Sequence, residues 1–79
     1  MADQWTVEMA NKLAAECLEV QEKIGEDRLF MEVGDVLGTS SQTLEEAFLT
    51  AIRTRMAERK GRAFLVKKLK TFSAKDTPQ

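Results

Sequence analysis

The chain has 79 residues, 43% of them apolar and 32% charged, with a formal net charge of −1, one cysteine, no histidine and no tyrosine. A domain of this size buries only about 60% of the surface its unfolded chain exposes, so its thin core calls for a disulfide, a metal, unusually good helix packing or self-association. Cys17 alone cannot form an intrachain disulfide, and without a cysteine pair or an imidazole no metal or other cofactor is expected.

The near-neutral sum hides a separation of charge. Residues 1–46 hold 11 acidic and 3 basic side chains, net −8, whereas residues 47–79 hold 2 acidic and 9 basic, net +7. Such a distribution requires the two halves to neutralise each other, a second copy, or an outside partner. No apolar run approaches the roughly 18 residues that span a bilayer. Met1-Ala2-Asp3-Gln4 lacks the basic, then apolar, pattern of a secretory signal. A cytoplasmic protein without an integral membrane segment is the expectation. A single proline, at position 78, and only four glycines favour helix throughout.

Taken in chain order, the first element is a helix over 4–24. Thr6, Ala10, Leu13, Cys17, Val20 and Ile24 recur at alternating steps of four and three, the rhythm of a helix packed along a seam, and Ala14 and Leu18 widen that stripe. Glu8, Lys12, Glu16, Glu19, Glu22 and Lys23 occupy the other side, with Glu19 and Lys23 spaced for a surface pair. Asp3 or Thr6 can cap the start, and Gly25 can supply the left-handed residue that ends it. Trp5 either staples the helix start or anchors a partner.

A second, short helix is predicted over 27–37 from Leu29, Phe30, Val33, Val36 and Leu37, weakened by Gly34 and ended by Gly38. Thr39, Ser40 and Ser41 are successive candidate N-caps for the third helix, and Thr43-Leu44-Glu45-Glu46 fits a capping box one step later. That helix, over 42–60, carries Leu44, Phe48, Ile52 and Met56 at steps of four, with an acidic start and a basic end that suit the helix macrodipole. Gly61 interrupts the pattern. An unbroken helix over 42–73 would be roughly 48 Å long at 1.5 Å per residue, more than the first helix can cover in a monomer, so a bend into a fourth helix over 62–73 is preferred; in a dimer the unbroken helix becomes reasonable. Residues 1–73 then form a single domain, an all-α bundle of three or four helices with antiparallel packing of the first on the third. Residues 74–79 read as a disordered tail. Met9, Met31 and Met56 read as gap fillers in the core.

Catalysis lacks material. General acid–base and nucleophilic mechanisms need a titratable group set against a partner, and here only carboxylates, lysines and Cys17 are on offer. Cys17, on the seam with Leu13 and Val20, reads as a small buried apolar residue. The expectation is a non-enzyme without a small-molecule substrate.

Two segments carry binding chemistry. In Val33-Gly34-Asp35-Val36-Leu37-Gly38-Thr39-Ser40-Ser41-Gln42-Thr43-Leu44, Gly34 supplies a small residue for a close approach, Leu37-Gly38 opens a turn, Ser40 or Ser41 starts a helix, and Leu44 anchors it. This stretch resembles the centre of a helix-turn-helix, as in bacterial DNA-binding regulators, and the resemblance implies a recognition helix starting near Gln42. The front of that helix, however, shows Gln42, Thr43, Glu45 and Glu46, and carboxylates are repelled by phosphates. The second segment is the basic stretch Arg53, Arg55, Arg59, Lys60, Arg62, Lys67, Lys68 and Lys70, interleaved with Phe64, Leu65, Leu69 and Phe72. As a binding patch, joined by Trp5, it suits an acidic protein face, nucleic-acid backbone or an anionic membrane surface. As a structural element, its apolar residues cover the first helix while its lysines are solvated or face Glu16, Glu19 and Glu22. The structural role is preferred. The composite expectation is a helical protein-interaction module, whether small regulator, adaptor or chaperone-like subunit, that works through complementary acidic and basic faces and self-associates as a homodimer; the alternative is a helix-turn-helix regulator.

Overall fold

A computed structural model describes residues 3–76, and these form three helices: α1 (Gln4–Ile24), α2 (Leu29–Gly38) and α3 (Gln42–Asp76). The expected all-α bundle is the fold, and α1 on α3 is its principal packing contact.

Local chemistry accounts for the helix ends. Asp3 is extended (φ −74°, ψ 169°), and its carboxylate accepts the Thr6 N–H at 2.7 Å, occupying one of the free donors of the first turn. Gly25 closes α1 in the left-handed region (φ 70°, ψ 29°), where its N–H donates to the Gln21 carbonyl at 2.9 Å. Ser41 caps α3: its Oγ accepts the Leu44 N–H at 3.1 Å. Gly38 does not act as the left-handed cap expected of it. It is the last residue of α2, its φ is not positive, and Thr39 follows in right-handed helical geometry. Its small size is used instead against α3, because a Cβ there would stand 2.7 Å from Glu45 Oε1.

The buried core consists of Ala10, Ala14, Cys17 and Leu18 from α1 with Phe48 and Ile52 from α3. Leu13, Phe30, Val33, Leu44, Leu49 and Met56 pack against it. Gly34, buried in α2, lets that helix approach α3 closely: a Cβ there would lie 3.3 Å from Leu49 Cδ2.

Several expectations are corrected. The seam of α1 is rotated toward Ala14 and Leu18, leaving Val20 and Ile24 44% and 54% exposed; a straight helix drifts away from a seven-residue repeat, and α3 covers the side it meets. Met9, Met31 and Val36 are exposed, as is Trp5. The sense of the α1–α3 pair is parallel rather than antiparallel. Val7 and Asn11 share one groove with Thr43–Thr54, whereas Leu18, Gln21 and Glu22 share a second with Arg59. Two chain reversals, at 25–28 and 39–41, return α3 to the direction of α1.

The largest correction lies at Gly61. The chain neither bends there nor starts a fourth helix over 62–73, because α3 runs unbroken for 35 residues. A glycine in an exposed helix interior costs about 1 kcal/mol relative to alanine, and the flanking Arg, Met, Ala, Glu, Lys and Leu are strong helix formers. The helix persists through Asp76 in the segment expected as a tail; residues 77–79 lie outside the described residues.

Candidate functional site

α3 outruns the bundle. At 1.5 Å per residue its 35 residues span about 52 Å, and the molecule measures 61 × 29 × 13 Å. Its radius of gyration is 17.1 Å, against ~12 Å for a compact domain of this length. Cover from α1 and α2 ends at Met56, and every residue from Ala57 to Ser73 is exposed. Phe64, Leu65, Leu69 and Phe72 are 62–67% exposed. The expected role of this segment, covering α1 with its lysines at Glu16, Glu19 and Glu22, is therefore overturned: α1 is spent on the first four turns of α3 and meets the projection at its base, where Arg59 lies beside Leu18 and Glu22.

The candidate basic residues divide by position on the helix. Arg53, Lys60 and Lys67 recur every seven residues and share one side of α3; Arg55, Arg59 and Arg62 share another, continued by Lys70; Lys68 alone sits within the apolar stripe. All are exposed except Arg55, which is half-buried and whose Nε is buried without a hydrogen-bond partner. Trp5 is not brought to them, because it lies at the start of α1, beside the covered half of α3.

Among the described residues the ion pair is Arg62 Nη2 to Glu58 Oε2 at 3.1 Å, an exposed i, i+4 contact worth a few tenths of a kcal/mol. The expected Glu19–Lys23 pair does not form. Arg59 lines a pocket of about 150 Å³ with Glu22 and Asp27, yet makes no salt bridge among the described residues. The opposite charges of the two halves are thus left to solvent.

Sequence reading missed two features. One is Gln21, whose Oε1 accepts the Phe30 N–H at 2.8 Å and so caps α2 from α1; a link across nine residues has no local signature. The other is a groove of about 480 Å³ beside the covered half of α3, lined by Val7 and Asn11 of α1 and by Thr43, Glu46, Ala47, Thr50, Ala51 and Thr54 of α3. The recurrence of small residues at 43, 47, 50 and 54 was its available signal.

Cys17 is buried as expected, and desolvation pushes its thiol above the ordinary value of 9.0, which favours the unreactive neutral form. At the helix-turn-helix resemblance, the structure supplies the close approach at Gly34 and the cap at Ser41, but Gln42, Thr43 and Glu46 are exposed at the front of α3. No described helix is long and apolar enough to cross a membrane. The chain matches no known protein family, and comparison with curated proteins and with solved structures finds no match.

Proposed function

We propose that this chain is a non-enzymatic protein-interaction module of the cytoplasm, acting as a small regulator, adaptor or chaperone-like subunit through the projecting half of α3. One observation carries the reading: residues 57–73 form a helix exposed on every side, with Phe64, Leu65, Leu69 and Phe72 in water beside Lys60, Lys67, Lys68 and Lys70. Exposed apolar surface of this kind, rimmed by charge, marks a docking site. Its complement is an apolar protein face bordered by carboxylates, with the charges setting encounter rate and register and the apolar residues supplying affinity.

The test is affinity capture with immobilised wild-type chain and with Leu65→Asp/Leu69→Asp, a pair that lies outside the core and leaves the melting temperature unchanged. A specific protein held by wild type and lost from the variant is expected. Identical retention by both overturns the reading.

The close approach of Gly34 to Leu49 favours a second reading, a helix-turn-helix regulator that places α3 on DNA. It ranks behind because Glu46 stands where the first phosphates would be met. Duplex binding that weakens steeply with salt and with Arg53→Ala would reverse the order.

A further inference from the structure

We infer that the partner of the projecting half of α3 is a second copy of this chain, joined antiparallel, with each projection lying in the other's groove; this rests on the interaction reading above. The groove and the projection occupy one continuous side of α3. Stepping by three or four from Thr43 through Ala47, Thr50 and Thr54 leads to Ala57, Gly61, Leu65, Lys68 and Phe72.

Ala57 apart, that series is symmetric about the bond between Ala57 and Glu58. Two α3 helices laid antiparallel about this point set Gly61 opposite Thr54, Leu65 opposite Thr50, Lys68 opposite Ala47 and Phe72 opposite Thr43, each pair occurring twice. A two-fold interface requires such self-complementarity. Here it is complementarity of size, since the covered half of the stripe offers threonine and alanine beside an open groove and the projecting half offers leucine and phenylalanine. Gly61 has no side chain to hold the second helix away from Thr54, and in the single chain nothing lies within 4 Å of a Cβ built there.

Charge and area agree. Lys68 arrives beside Glu46 of the second copy's groove wall. The accessible surface is 6532 Å² for 8.9 kDa, whereas a compact monomer of that mass exposes ~4800 Å². The excess, ~1700 Å², is surface left uncovered by the elongated shape, and burying about half of it would supply the ~800 Å² per partner of a standard stable interface.

Sedimentation equilibrium from about 1 to about 100 µM reads the association directly. A mass rising to twice that of the chain is expected. Leu65→Asp should raise the dissociation constant at least 100-fold with the thermal melt of the dilute protein unchanged. Register is read by mixing Thr50→Cys with Leu65→Cys chains and adding a short bismaleimide, the buried Cys17 staying unlabelled. Cross-linked mixed 50–65 pairs support the antiparallel arrangement. Same-residue pairs alone, or a wild-type monomer at the highest concentration, overturn it. A monomer whose Leu65→Asp/Leu69→Asp variant still loses a captured protein overturns only the second copy and leaves the interaction reading standing; a monomer that binds duplex DNA instead overturns both.

Discussion

Phe48→Ala measures where the folded core of α3 ends. Phe48 is fully buried, and with Ile52 it is one of the two largest side chains without exposure. Its buried neighbours from α1 include Ala10, Ala14 and Cys17, which are too short to reach into the space a ring vacates. Truncating a buried phenylalanine costs about 3–5 kcal/mol, against a total stability of roughly 4–12 kcal/mol for 79 residues at about 0.05–0.15 kcal/mol each. The variant should therefore lose a quarter or more of its stability, and at the lower end of that range it should unfold without denaturant. Phe64→Ala makes the same chemical change further along the same helix, where the ring is 62% exposed and off the stripe proposed for dimer contact, so its cost should stay within about 0.5 kcal/mol. Urea unfolding followed by far-UV circular dichroism, on protein dilute enough to be monomeric, gives both values. Equal losses for the two variants would refute the division of α3 into covered and projecting halves; an unchanged midpoint for Phe48→Ala would refute the core itself.

In protein dilute enough to be monomeric, Gly61→Ala should stabilise the projecting helix by about 1 kcal/mol, since nothing of the same chain lies within 4 Å of the new methyl and glycine is the poorer helix former; hydrogen exchange of nearby amides should slow severalfold, and unchanged or faster exchange would show that the helix is not continuous there. Gly34→Ala should fail to show that gain, because its methyl meets Leu49 Cδ2 at 3.3 Å, and its melting temperature reports the difference. The hydrogen bond from the Thr6 N–H holds the Asp3 carboxyl below its ordinary value of 3.8. Its capping contribution is thus fully present above that pH and is lost as pH falls through the lowered value, which the Thr6 amide shift in an NMR titration should follow with a midpoint below 3.8. Cys17 should resist alkylation at neutral pH in the native state and react at the rate of a free thiol in urea; rapid native labelling would place it outside the core.

What the sequence made legible was local, and what it hid was competitive. Asp3 and Gly25 act within a few residues of themselves, so spacing and chemistry sufficed to assign them. Gly61 is different: a helix breaks at glycine only if an alternative conformation gains more than the roughly 1 kcal/mol at stake, and that gain would have had to come from folding Leu65, Leu69 and Phe72 back onto α1. The first helix cannot provide it, because Ala10, Ala14, Cys17 and Leu18 are already covered by Phe48 and Ile52. The same competition turned the α1 seam away from Val20 and Ile24, since two adjacent stripes were both apolar enough and only the position of α3 selects between them. At the candidate site, the exposed cations were readable because charge in a helix of this composition goes to water, whereas the groove was not, because Thr43, Thr50 and Thr54 look like ordinary surface residues until α1 stands beside them. The unbroken helix and the uncovered leucines are therefore one fact with one cause. A single chain has too little apolar surface in α1 to cover both halves of α3, and the half left over has to find its cover in another molecule or remain in water at a cost of about 25 cal/mol for each Å² of apolar surface.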